Sequence, residues 1–120
     1  MIEFNTERAD NVVAVRIEGR LTDHDYKTTL IPTFEKLFAE RGRLRVMIHF
    51  DKGFEGWDFE AAWDDTVFGL HHRADFEKIA IVGGPNWIDW CVKASVFLMK
   101  GEVRTFPADH LDAACAWLTA

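Results

Sequence analysis

The heptapeptide LRVMIHF, residues 44–50, marks the centre of the fold. Apolar Val46, Ile48 and Phe50 occupy every second position of this run, which is the period of a β-strand. Seven residues are also too few for a typical helix, and Asp51 follows directly as a polar stop. The run therefore predicts a central strand that ends at Asp51.

Further strands and helices alternate along the chain on both sides of this strand. The predicted strands cover residues 1–4, 12–17, 44–50, 79–82 and 103–106, and the predicted helices cover residues 22–42, 57–72, 87–99 and 109–118. Strands that alternate with helices through short connections indicate βαβ units, a mostly parallel sheet and right-handed crossovers. We predict one α/β domain over residues 1–120, with a five-stranded mostly parallel sheet and four helices in the order ββαβαβαβα.

Local signals define the ends of two of these helices. Thr22, with Asp25 three residues later, matches a capping box that opens the first helix. Pro32 lies inside the helical pattern, where it removes an amide donor and clashes with the preceding turn, so we expect either a kink or an irregular turn there. Gly42 is the expected end of this helix, and Asp109 is the predicted cap of the last one.

Composition excludes several classes of protein. The chain has 120 residues, of which 48% are hydrophobic, and this is enough to bury a core without disulfide or metal crosslinks. Its 20 Asp and Glu residues against 14 Lys and Arg give a net charge of -6, which argues against a nucleic-acid partner. The N-terminal residues do not resemble a secretory signal, so we expect a cytoplasmic location. No apolar run is long enough to span a bilayer, although peripheral contact with the inner membrane face stays open.

Four short stretches, taken together and in this order, carry a family resemblance. They are GRLTDHDY at 19–26, FEGW at 54–57, IAIVG at 79–83 and ACAWL at 114–118. This set resembles the SpoIIAA-like family, bacterial single domains with the STAS fold. The resemblance implies a STAS-like fold that is also similar in shape to CRAL-TRIO domains, which bind lipids and other apolar molecules. Gly84 departs from the pattern, because the resemblance leads us to expect an acidic residue there.

Aromatic residues are concentrated in the middle of the chain, with six of them within residues 50–68. One interpretation is that all of them belong to the core. The interpretation we favour is a ligand-binding cleft between the second and third predicted helices, at the carboxyl ends of the strands. Its predicted ligand-binding residues are Phe54, Trp57, Trp63, Phe68, Trp87 and Trp90. Gly53 and Gly56 bracket the predicted start of the second helix. Two interpretations of these glycines stay open: they let the helix swing as a lid, or they form two ordinary turns.

This cleft predicts a module that binds a small apolar or amphipathic ligand, such as a lipid, or that associates reversibly with a membrane. The alternative is a protein-interaction module, as a homodimer or with another protein partner, resembling the anti-sigma-factor antagonists with a STAS fold. Those proteins are switched by phosphorylation of a serine at a helix start, whereas residues 51–59 contain neither serine nor threonine. The phosphorylation switch is therefore disfavoured, while unswitched protein binding stays open.

Chemistry-bearing residues do not form a catalytic pattern. His71 and His72 are adjacent, so on a helix they point about 100° apart and cannot both reach one metal without help from elsewhere. Cys91 lacks an evident base, and the Gly83-Gly84-Pro85 turn does not complete a dinucleotide fingerprint. We therefore expect no enzymatic activity, no metal site and no cofactor.

Overall fold

A sheet of five strands runs through the part of the chain that the computed structural model describes, namely residues 2–5, 12–57, 74–83 and 101–120. The strands are β1 (Ile2–Asn5), β2 (Val12–Leu21), β3 (Leu44–Trp57), β4 (Phe76–Gly83) and β5 (Glu102–Phe106), and they lie side by side in chain order. The described helical elements are α1 (Asp23–Asp25), a π-helical segment (Tyr26–Leu30), α2 (Ile31–Arg41) and α3 (Leu111–Thr119). The first strand pair is antiparallel and the other three pairs are parallel. The predicted mixed α/β fold with a mostly parallel sheet is confirmed.

The count of helices is not tested, because two of the predicted ones lie outside the described residues. These are the helix predicted over residues 57–72, apart from its first residue, and the helix predicted over residues 87–99.

The two faces of the sheet are covered by different helices. On one face, the π-helical segment and α2 pack on a cluster of buried side chains: Val13, Val15, Ile17, Leu21, Tyr26, Leu30, Phe34, Leu37, Leu44, Val46, Phe50 and Phe76. On the other face, α3 packs on Met47, Ala80 and Val82 through Ala114 and Leu118. The separation follows from strand alternation, because successive side chains such as Val46 and Met47 point to opposite faces. We call these the α2 face and the α3 face.

The capping box predicted at the first helix is confirmed. The Asp25 amide donates to the Thr22 hydroxyl over 3.2 Å, and the Thr22 amide donates to the Asp25 carboxylate over 3.1 Å. The irregularity expected near Pro32 takes the form of the π-helical segment just before it, in which the Ile31 amide donates to the Tyr26 carbonyl five residues back. A proline clashes with the carbonyl four residues back in an α-helix, and a π-helical register relieves that clash.

The predicted end of the central strand is wrong. β3 does not stop at Asp51 but continues to Trp57, and β2 likewise continues past Gly19 to Leu21. The reason is pairing between distant segments: the two extensions hydrogen-bond to each other up to the Leu21–Trp57 pair. Trp57 is therefore the last residue of a strand rather than the first residue of a helix. Gly56 is likewise a strand residue rather than part of a turn before that helix.

The predicted cap of the last helix is also wrong. α3 begins after His110, whereas the side chain of Asp109 is exposed and faces His110 across 3.7 Å. The His110 amide donates to the Pro107 carbonyl over 2.9 Å, and the Ala114 amide then donates to the His110 carbonyl over 3.1 Å. This preceding turn includes Asp109, so the helix starts one residue later than the sequence pattern suggests.

Cationic side chains from the sheet hold the end of α3. Arg45 Nη1 donates to the carbonyl oxygens of Leu118 over 2.6 Å and of Ala120 over 3.0 Å. Lys78 Nζ donates to the Trp117 carbonyl over 3.0 Å. The last carbonyls of a helix lack partners within the helix, and cations also suit the negative end of its dipole. These bonds fix α3 against β3 and β4.

Candidate functional site

The parallel strands of the sheet do not all end at the same level at its carboxyl edge, because some pairs of strands stay hydrogen-bonded for longer than others. β3 and β4 stop pairing at Phe50 and Gly83, whereas β2 and β3 stay paired as far as Leu21 and Trp57. Residues 51–57 therefore continue past β4 with β2 as their described neighbour, and we call them the β3 overhang. β3 thus extends further than β4 at the carboxyl edge, and we call this difference in length the step.

The overhang begins with a sharp bend. Ile17 of β2 pairs with Phe50 of β3, and the next paired residue of β2, Gly19, pairs with Phe54. β2 advances by two residues between these pairs, whereas β3 advances by four, so β3 carries extra residues there. The ring centroids of Phe50 and Phe54 are 4.3 Å apart. Residues four apart in a regular strand are separated by about 13 Å, so the chain must bend between the two rings. We call residues 50–54 the β3 bend.

A glycine on the neighbouring strand accommodates this geometry. Gly19 lies opposite Phe54 with a φ of 72°, a conformation that residues with a Cβ rarely adopt. β-bulges of this kind twist a strand, occur often next to functional sites and re-aim side chains there. The bend is therefore an inbuilt feature that redirects an aromatic side chain.

The bend joins the hydrophobic core to the edge of the sheet. Phe50 is 5% exposed and belongs to the buried cluster of the α2 face, together with Leu21 and Tyr26. Phe54 packs against that cluster but is only partly buried. Its ring thus continues the core to the carboxyl edge, where it can take part in binding an apolar group.

Of the sequence-predicted site residues, the structure describes two. Phe54 lies in the bend, and Trp57 ends β3 in register with Leu21. Both are in the overhang, so the structure brings their backbone positions together at the carboxyl edge. The other four predicted residues, Trp63, Phe68, Trp87 and Trp90, lie outside the described residues.

A charged cluster that the sequence analysis missed lies at the same bend on the α3 face. Arg16 Nε donates to the carboxylate of Asp51 over 2.8 Å, and Arg16 Nη1 donates to that of Glu3 over 3.1 Å. Arg16 Nη2 also donates to Glu18. We call these four residues the Arg16 cluster. The carboxylates, chiefly that of Asp51, raise the pKa of Arg16 above its usual range.

Part of this cluster had a signal in the sequence. Once β1 and β2 are taken as an antiparallel pair, Glu3 falls opposite Arg16, and residues two apart on a strand, such as Glu18, share its face. Asp51 could not be added in this way, because its position depends on the bend.

Neither a metal-binding cluster nor a membrane-spanning helix is found in the residues that the structure describes. Within these ranges, no group of three or more His, Cys, Asp or Glu side chains could hold a metal ion. No helix of the same ranges is long and apolar enough to cross a membrane.

Comparison with known proteins places this chain in a family. The model of the SpoIIAA-like family matches residues 12–119, so the chain belongs to the SpoIIAA-like family. Among solved structures, it is similar to an uncharacterised protein of the DUF3478 family with a SpoIIAA-like fold from Shewanella loihica PV-4. The two share 28% sequence identity with a TM-score of 0.77, over 98% of this chain and 93% of that one. No curated protein matches this chain.

Proposed function

We propose that this protein is a non-enzymatic STAS-like module that binds a small apolar or amphipathic ligand of lipid-like character. The binding site lies at the carboxyl edge of the sheet, on the β3 overhang. Phe54 supplies an apolar wall, and Trp57 extends it. We assign the rest of the wall to Trp63, Phe68, Trp87 and Trp90.

One observation carries this proposal, namely the partly buried ring of Phe54 against Phe50 at a bent strand end. Ligand sites are mostly apolar, are lined by aromatic side chains and open at the carboxyl edge of α/β sheets. A bulged strand that leaves a large aromatic side chain only partly covered fits such a site better than it fits a core, in which packing is dense. The overhang lies at the edge where a ligand would enter.

The same wall can serve for reversible contact with a membrane from the cytoplasm. Tryptophan suits the interface between lipid and water because its ring is apolar and its indole N–H donates a hydrogen bond. We therefore propose a cytoplasmic protein that reaches the inner membrane face through these aromatic residues.

Titration with the uncharged fluorescent probe N-phenyl-1-naphthylamine tests the proposal. We expect Phe54→Ala and Trp57→Ala each to weaken probe binding by about 10-fold, since loss of a buried aromatic contact costs about 1.5 kcal/mol or more. Phe106→Ala is the matched control, because Phe106 is a partly buried aromatic residue on the α3 face, 6.0 Å from Trp117. It should change the affinity less than about twofold, and circular dichroism verifies that each variant is folded.

Two results would overturn the proposal. One is equal probe affinity in wild type and in a folded double variant of Phe54 and Trp57. The other is a wild type that binds neither the probe nor vesicles of phosphatidylglycerol and phosphatidylethanolamine. A stable homodimer that Phe54→Ala dissociates, without probe binding, would instead favour the protein-interaction module.

A further inference from the structure

The β3 bend is held from both faces of the sheet. On the α2 face, the rings of Phe50 and Phe54 contact each other with centroids 4.3 Å apart. On the α3 face, the guanidinium of Arg16 binds Asp51, the first residue after the pairing of β3 with β4 ends. Asp51 is thus the residue at which the overhang leaves the main sheet.

We propose that Arg16 is a positioning residue for the ligand site, because its ion pair with Asp51 fixes the bend that places Phe54. This inference rests on the proposed function and deepens it, since it makes ligand affinity depend on a charged cluster on the opposite face of the sheet. The ion pair between Arg16 and Asp51 is partly exposed, so added salt weakens this pair and thereby weakens ligand binding.

The geometry of the Arg16 cluster supports this role. A single exposed ion pair contributes little to a fold, whereas a network around one guanidinium contributes more. Arg16 is 37% exposed and joins Glu3 on β1 and Asp51 on β3 to its own strand, so three adjacent strands meet at one side chain. Its planar fork binds several carboxylates in fixed directions, which a lysine cannot do equally well.

Loss of the guanidinium would act directly on the bend. In Arg16→Gln, three carboxylates surround an uncharged amide, and like charges on neighbouring strands repel each other. Asp51 is the one of the three that lies on the bent segment, so the repulsion displaces the start of the overhang. Phe54 then loses its fixed position against Phe50, and the apolar wall opens.

Two variants separate positioning from a general effect of charge. Arg16→Gln and Asp51→Asn change the net charge in opposite directions, but both remove the same ion pair. We expect both to weaken binding of N-phenyl-1-naphthylamine by about 5-fold in 20 mM NaCl. The wild-type affinity should fall toward theirs in 500 mM NaCl, while theirs changes little, because the exposed pair is screened at high salt.

The matched control removes a different surface ion pair. Lys27→Gln breaks the 3.1 Å ion pair between Lys27 of the π-helical segment and Asp23 of α1, and it removes the same charge as Arg16→Gln. It should keep the wild-type affinity and its salt dependence. Amide hydrogen exchange gives a readout without ligand: residues 51–57 should exchange faster in Arg16→Gln and Asp51→Asn, whereas residues 44–50 should not.

The outcomes distinguish this inference from the proposed function. If the probe binds in a Phe54-dependent way but Arg16→Gln and Asp51→Asn bind it as wild type does, Arg16 has no positioning role and the proposed function stands. If the wild type binds no probe, the proposed function fails. Separately, unchanged amide hydrogen exchange in residues 51–57 of both variants would overturn the role of Arg16 in the bend. Opposite changes in affinity in the two variants would show an effect of net charge and would also overturn it.

Discussion

Gly83→Ala should destabilise the domain more than an ordinary glycine substitution. Gly83 ends β4 with a φ of 77°, and a Cβ at this position would lie 2.7 Å from the carbonyl oxygen of Phe50. The left-handed conformation costs an alanine about 1–2 kcal/mol, and forcing an overlap with backbone costs about 1–3 kcal/mol more. We therefore expect a loss of about 2–5 kcal/mol in the free energy of unfolding, measured by urea denaturation with circular dichroism at 222 nm. This is a large part of the stability of a small domain.

Gly42→Ala is the matched control for this prediction. Gly42 has a φ of 76°, almost the same as that of Gly83, but a Cβ there would have no atom within 4 Å. Only the conformational cost should appear, which we expect to be about 1–3 kcal/mol because Gly42 combines this φ with a ψ of -134°. If the two variants lose the same stability within about 0.5 kcal/mol, the close approach of Gly83 to the Phe50 carbonyl has no energetic effect and the reasoning is refuted.

Three further changes test other parts of the structure. Leu118→Ala removes a side chain of α3 that is 0% exposed and should cost about 2–5 kcal/mol in the free energy of unfolding, measured by urea denaturation. Arg45→Met should destabilise the protein more at pH 7 than at pH 3.5. The reason is that Arg45 lowers the pKa of Glu77, so the pair stabilises the fold above the unfolded carboxyl pKa of about 4.3 and is lost as the pH falls through the folded value. Thr22→Ala removes the hydroxyl that accepts from the Asp25 amide and should cost about 1 kcal/mol, with the thermal midpoint as the measurement.

Local signals predicted much of this fold correctly. The spacing of Thr22 and Asp25 identified a helix start because a capping box depends on residues three apart in the chain. The alternation in residues 44–50 identified a strand because its period reports burial on one face. Pro32 identified an irregular turn because proline lacks the amide that an α-helix needs.

Signals that depend on distant pairing were not available in the sequence. Asp51 resembled a strand end because aspartate and the glycines that follow it are rare inside strands. The strand continues nevertheless, because the backbone beyond Asp51 finds partners on Gly19, Arg20 and Leu21 through bulges. No pattern within residues 51–57 reports this pairing, so the β3 overhang and the place of Asp51 in the Arg16 cluster could be found only in three dimensions.

The order of the strands explains why the overhang matters for the location of a site. Open α/β sheets bind ligands in the crevice at which the order of the strands reverses. In the described sheet, β2, β3, β4 and β5 follow one another in chain order, so these strands do not create such a crevice by topology. The described strands instead differ in length at the same edge, because β3 runs seven residues beyond its last pairing with β4. The proposed site at this step depends on the bend being held, which is why the proposal gives a role to residues on both faces of the sheet, Phe54 on one and Arg16 on the other.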